Sequence, residues 1–327
     1  MLIPLVLFVL SKLDTANLLR SIKQVPAGTI VMLLGLQIMS QLLLNYQWYK
    51  IARFTRMNIS FRDMFYINCQ GAVIDSITPG VKFGGEVTRA VALTRKANCS
   101  GEEAATVVAL QKLFSMSAFI VINLFAVGYL VGKVPLLQAR YLQITIYSIM
   151  ILILAIFVGI FLASRQLKEH LQRKSKPRFS WGIKVRGFLV TMLEQVIFLR
   201  QNSKMCTWLL LLAPLIWLFY PVKMYLLTIH FLPHANQVIM YITAITFVSY
   251  LVAMLPIFPG GLGGFEGTMS GLLLTIGFTS SDAVVVAILF RFITFWLVML
   301  LSLGFITVYK VRRRATATDN YEGNEYG

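Results

Sequence analysis

Eight charged side chains stand in or beside apolar stretches of this 327-residue chain: Asp75, Lys82, Glu86, Arg89, Lys112, Lys223, Glu266 and Arg291. Charge at membrane depth is costly, so such residues are functional candidates by default. The cations could hold a lipid phosphate, and the carboxylates a cationic head group or a proton. The expected pairings are Glu266 with Arg291, and Glu86 with Lys112 or Arg89. The plainer alternative is that these are internal ion pairs that fasten broken helices together. Lys223 follows Pro221 in a span rich in Trp and Tyr, and is read as a lysine that snorkels towards the interface.

Two of these carboxylates belong to matching strings. Pro79, Gly80, Gly84 and Glu86 stand 180 positions before Pro259, Gly260, Gly264 and Glu266, with no gap, and Leu93, Ser100 and Glu102 continue the match to Leu273, Ser280 and Asp282. The shared pattern, P-G-x-x-x-G-x-E followed by S-x-[DE] before a long apolar segment, indicates an internal duplication. Proline ends the preceding helix and the glycines allow close approach. The helix that restarts presents free N–H groups and a positive dipole end, where a phosphate could sit. Gly80, Gly84, Gly260 and Gly264 are therefore candidate binding positions. Capping by Glu86 and Glu266 is an equally good account of the same residues.

The elements that must position these residues follow from composition. Hydrophobic residues make up 57% of the chain and charged ones 13%, with a mean hydropathy of +0.74. A globule of this size has no interior for that much apolar surface, so a soluble enzyme and a disordered chain are both excluded. The balance of 30 Lys+Arg against 13 Asp+Glu gives a net charge of +17, which in an apolar chain points to basic loops on the inner side of a membrane. Spans of roughly 20 apolar residues are expected at 28–48, 104–131, 142–163, 206–232, 238–258 and 282–309, with residues 1–10 part of a first helix. Segments 61–78, 84–97 and 263–278 are shorter or more polar and read as broken or re-entrant pieces.

Basic residues cluster at 50–62, 165–204 and 310–314. They place those segments and the C-terminus on the cytoplasmic side, and the two motif copies then run in opposite directions. An all-α polytopic membrane protein with an inverted-topology internal repeat is the expected fold. The repeat cores lie at about 61–132 and 241–312, within one integral domain over 1–314. Inverted repeats with broken helices are a transporter pattern, with the substrate site at their interface. Apolar residues at helical spacing between Val185 and Ile197 suggest a helix on the inner leaflet or an ordinary packed one. Residues 315–327 are polar and aperiodic, and are expected to be a disordered tail.

Enzymatic chemistry finds little support. Cys69, Cys99 and Cys206 form no CxxC pair, and His230 and His234 are separated by Pro233, so no metal is expected. No Ser-His-Asp arrangement and no phosphate loop ending in Lys-Ser/Thr follows the glycines. No cofactor is expected, and any driving force would come from an ion gradient or the lipid gradient itself.

Around residues 79–90 and 259–266, and again at 289–296, the chain resembles the lysylphosphatidylglycerol synthase transmembrane region, or flippase-like domain, and the resemblance covers nearly the whole chain. It implies a polytopic inner (plasma) membrane protein. In bifunctional relatives this domain moves an aminoacylated phospholipid from the inner to the outer leaflet, and a separate soluble domain transfers the lysyl group. That domain is not expected in a chain ending at Gly327, so no lysyltransferase activity is expected. Relatives usually carry Glu-Arg where this chain has Gln111-Lys112, and stand-alone relatives point to other lipids. The expected function is a lipid translocator for a phospholipid or polyprenyl-type lipid, with Glu86, Arg89, Lys112, Glu266 and Arg291 along a polar path. The alternatives are a non-transporting partner of lipid- or glycan-modifying enzymes, or a membrane-embedded head-group enzyme. Expected partners are membrane lipids with a phosphate or anionic head group, a lipid-modifying enzyme, or a second copy as a homodimer; nucleic acid is not expected.

Overall fold

The computed structural model describes residues 23–78, 83–134, 138–173, 179–232, 235–255 and 261–322. The first expected helix at 1–10, the Pro79-Gly80 and Pro259-Gly260 turns, Lys82 and His234 lie outside the described residues. The described residues form eleven helices: α1 (Ala27–Phe54), α2 (Phe61–Ile77), α3 (Phe83–Ala97), α4 (Gly101–Val131), α5 (Arg140–Leu162), α6 (Ser164–Arg173), α7 (Ser180–Gln201), α8 (Ser203–Thr228), α9 (Ile239–Ala253), α10 (Gly264–Leu274) and α11. The last runs over Ser280–Arg291, widens into a π-helical turn at Phe292–Trp296, and continues over Leu297–Glu322. Its helical backbone is described as far as Glu322.

Among the described residues, five helices are long and apolar enough to cross a membrane: α1, α4, α5, α8 and α11 over Ser280–Arg312. They coincide with five of the six expected full spans. The sixth, expected at 238–258, is helical only over the 15 residues Ile239–Ala253, after a short 3-10 turn at Ala235–Val238. Fifteen residues rise ~22 Å, short of the ~30 Å hydrocarbon core. Leu255 precedes Pro256, and a residue before proline is pushed out of the helical region.

Side-chain caps set the helix starts. Ser60 accepts from the Asp63 N–H at the head of α2, and Asn202 from the Met205 N–H at the head of α8. Ser100 and Glu103 form a reciprocal capping box on α4, and Thr279 accepts from the Asp282 N–H on α11. Ser100 caps the first of these two helices but Thr279, not Ser280, caps the second, so the caps are displaced by one residue from the gapless sequence match.

Two buried clusters form the interior. One joins the C-terminal half of α1 with α2, α3, the first half of α4, α7 and α8, around Trp48, Ile67, Leu110 and Val196. The other joins the second half of α4 with α8, α9, α10 and α11, around Phe119, Phe247, Phe265 and Phe290. Helix α7 packs against α4 and α6 with Leu193, Val196 and Leu199 buried, while its Ile183, Val185 and Phe198 are exposed. Helix α5 stands at the edge, with Met150 its only buried side chain among the described residues.

Candidate functional site

The charges around the first motif form one connected group. Arg89, on α3, reaches across α2 and places Nη1 3.1 Å from Oδ2 of Asp75 and 3.2 Å from Oε1 of Glu86. Lys112 on α4 approaches the same Glu86 Oε1 at 2.8 Å. Helical spacing explains the convergence: Glu86 and Arg89 are one turn apart on α3, and Asp75 and Lys112 come from the helices packed on either side. The guanidinium also lies 5.5 Å from the ring centre of Trp48 on α1, a cation–π distance.

Glycine makes this packing fit. A β-carbon at Gly71 would lie 2.5 Å from the Arg89 guanidinium carbon, and one at Gly85 would lie 2.2 Å from the Asp75 carboxyl. Without that atom the Gly85 N–H donates to Asp75 Oδ1 at 3.0 Å. The N–H expected to be free for a phosphate is thus taken by a carboxylate, and the carboxylate is Asp75 rather than Glu86. Gly84 fits closely against Thr78, 2.6 Å from a β-carbon position.

The second motif is simpler. One oxygen of Glu266 accepts from the Gly263 N–H at 2.7 Å, and the other faces Arg291 Nε at 3.4 Å. Gly263 has φ +81°, a conformation that favours glycine. Glu266 therefore caps α10 and pairs with Arg291 at once. Arg291, 5% exposed, lies between the rings of Phe265 and Phe295, 4.8 and 4.2 Å from their centres. The π turn begins immediately after Arg291; Thr294 within it accepts from the Tyr250 hydroxyl at 3.0 Å and donates to the Phe290 carbonyl. Such turns often mark functional positions in helices. Gln111, the sequence counterpart of Arg291, has no part in this pairing and donates to Gln47 on α1 at 3.3 Å.

The expected pairings Glu266–Arg291, Glu86–Arg89 and Glu86–Lys112 thus all form, but as two separate groups. Beside the first group lies a feature the sequence reading missed, a cleft of about 360 Å³ bounded by α1, α2 and α11. Its deep wall includes Gln37, Asn68, Asp75, Arg89, Tyr220 and Thr294, while Ile38, Leu42 and Leu301 on its rim are exposed. The Gln37, Gln41 and Asn45 spacing of four in α1 is the signal that a polar stripe faced inwards. Lys223 does not snorkel: it is fully buried, donates to Gln37 and Ser40, and lies 4.4 Å over the Tyr220 ring.

At another edge of α2, Lys96 bridges to Asp63 at 2.9 Å and donates to Tyr309 at 2.7 Å. The Tyr309 hydroxyl also bonds Asp63, and the Tyr66 and Tyr309 rings stack with centres 4.2 Å apart. Partial burial of Asp63 favours its neutral acid. Hydrogen bonds from Ser60, Tyr309 and Lys96, with the lysine charge, outweigh burial and hold the carboxyl down at about 2. Burial likewise opposes the Lys96 charge, but its bonds to Tyr309 and Asp63 raise it above the ordinary lysine value.

Helices of membrane-spanning length and apolarity, with buried charges paired between helices, define a multi-pass membrane protein. The chain belongs to the lysylphosphatidylglycerol synthase TM region family, whose model matches residues 2–302. It is similar to a UPF0104 membrane protein of Methanothermobacter thermautotrophicus, 23% identical over 294 residues, covering 86% of this chain and 85% of the relative. It is also similar to a UPF0104 membrane protein of Pyrococcus horikoshii, 26% identical over 293 residues, covering 84% of each. A third relative, from Methanocaldococcus jannaschii, matches 31% of this chain at 26% identity. The chain is accordingly a multi-pass integral membrane protein.

Proposed function

We propose that the protein moves a phospholipid or polyprenyl-type lipid between the leaflets of the plasma membrane, binding it without covalent change. The observation that carries this reading is the cleft between α1, α2 and α11. Its rim is apolar and open on the lipid-facing side, while its deep wall carries Arg89 and Asp75. A lipid could leave its acyl chains among Ile38, Leu42 and Leu301 and place its head group against the polar wall. Such a wall replaces part of the hydration that a head group loses on leaving the interface.

The two charge groups support a path rather than a single stop. Glu86 with Arg89 and Lys112, and Glu266 with Arg291, each gather around the first turns of a short helix, α3 or α10. The short helices α3 and α10 have matching places before α4 and α11, in keeping with duplication and with the opposed directions inferred from the basic segments. In that topology, 165–204 and 310–314 face the cytoplasm.

The test is leaflet exchange of fluorescent phospholipid in proteoliposomes, read by quenching of the outer leaflet. The wild-type chain is expected to exchange lipid faster than protein-free vesicles, and a Glu86→Ala/Glu266→Ala variant that reconstitutes equally well should fall to the protein-free rate. Equal exchange by both proteins would overturn the proposal and favour a non-transporting role beside lipid-modifying enzymes.

A further inference from the structure

Behind the cleft wall at Gln37 stands a charge that the two ion-pair groups do not account for. In the first group Asp75 and Glu86 face Arg89 and Lys112, two acids against two bases; in the second Glu266 faces Arg291. Both are balanced. Lys223 is fully buried on α8, and among the described residues it forms no ion pair with a carboxylate. Among the described residues its ammonium meets the Gln37 amide oxygen, the Ser40 hydroxyl and the face of Tyr220. A buried ammonium met by neutral dipoles is poorly compensated, and it keeps its proton best where an anion supplies the counter-charge.

Unpaired donors stand where that counter-charge could enter. Gln37 accepts from Lys223 through its oxygen, while its amide nitrogen is buried and has no hydrogen-bond partner. Arg89 Nε is likewise buried and has none, its Nη1 being occupied by Asp75 and Glu86. Both Gln37 and Arg89 line the cleft. Buried donors left unmade are expensive, and an oxygen-rich anion satisfies both. The ammonium behind Gln37 polarises its amide and strengthens the bond that nitrogen can offer.

We propose that Gln37, Arg89 and Lys223 form an anion site for the phosphodiester of a membrane lipid whose head group carries one net negative charge. The one net positive charge among the described residues, on Lys223 behind Gln37, calls for one negative charge in the ligand. The exposed apolar rim at Ile38, Leu42 and Leu301 favours a lipid over a free phosphoester. This names the substrate class for the transport reading and rests on it for biological meaning, but the site itself can be tested without transport.

The experiment measures binding to the purified full chain in a neutral detergent, by native mass spectrometry and by thermal shift. The probes are phosphatidylglycerol, phosphatidylcholine with the same acyl chains, and glycerol 3-phosphate. Wild type should prefer phosphatidylglycerol, and glycerol 3-phosphate should not stabilise it. Lys223→Met should weaken phosphatidylglycerol binding about tenfold or more, the scale of a lost charge-assisted bond, and leave phosphatidylcholine unchanged; Lys223→Arg should retain the preference. If Lys223→Met does not fold, Gln37→Leu provides the same comparison. Unchanged phosphatidylglycerol preference in a folded Lys223→Met or Gln37→Leu variant would overturn the site. Equal stabilisation by glycerol 3-phosphate would overturn its assignment to a lipid. Binding without leaflet exchange would refute transport alone, and exchange without a Lys223-dependent preference would refute the anion site alone.

Discussion

Gly85 and Gly271 show how differently one residue type can act. A β-carbon at Gly85 would overlap the Asp75 carboxyl, whereas one at Gly271 on α10 would meet nothing within 4 Å. Gly85→Ala must displace Asp75 from both the Gly85 N–H and Arg89, and should cost about 1–3 kcal/mol, as overpacking does. Gly271→Ala should be neutral or stabilise by up to ~1 kcal/mol, since alanine is the better helix former. Thermal unfolding of the two variants in detergent separates these outcomes, and equal midpoints would contradict the packing described at Asp75. At this scale the sequence was informative about charge and less so about partners. The spacing of Glu86 and Arg89 announced their pairing. Asp75 was visible as a charge, but its role depends on how α2 and α3 cross, which no local pattern encodes.

Helix α2 is tied to α3 and α11 by Asp63, Lys96 and Tyr309, and this link has a pH signature. The carboxyl of Asp63 lies below its ordinary value, so its contribution is present above about pH 4 and is lost as pH falls through about 2. The amine of Lys96 lies above its ordinary value, so its contribution is present below the unfolded value near 10.5 and is lost as pH rises beyond it. The link should therefore be insensitive to pH between about 5 and 9. Lys96→Met should lower the thermal midpoint by a similar amount across that range, and a wild-type advantage that disappears between pH 5 and 9 would contradict the assignment. The helices themselves were largely legible: five full spans are where an apolar run of about 20 residues places them. The short α9 was overestimated because apolar composition continues past the point where Pro256 limits the helix.

The whole molecule has an uneven relation to its surroundings. Helix α5 buries only Met150 among its described residues, so most of its surface lies outside the protein core. Apolar exchanges such as Ile149→Leu or Leu152→Val should change stability by less than about 0.5 kcal/mol, whereas Phe119→Ala, at a fully buried position, should cost about 3–5 kcal/mol. Denaturation of the three variants in one detergent checks the contrast, and a large loss at Ile149 would show that this face is covered. Net charge and hydropathy had already identified the membrane as solvent. They could not indicate the cleft, because a cavity arises from how α1, α2 and α11 splay, and that depends on contacts between residues up to 246 positions apart, such as Asp63 and Tyr309.

The wide turn at Phe292–Trp296 gives α11 two phases. A π turn holds about one residue more than an α turn, and one extra residue rotates everything beyond it by roughly 100°. Arg291 and Phe290 are aimed by the first phase, towards α10; Ser302, Phe305 and Tyr309 are aimed by the second, towards the cleft and α2. A helical wheel drawn through the whole span would assign these residues to the wrong faces. The last helix is better understood as two half-helices with independent clocks, each keeping time with a different neighbour.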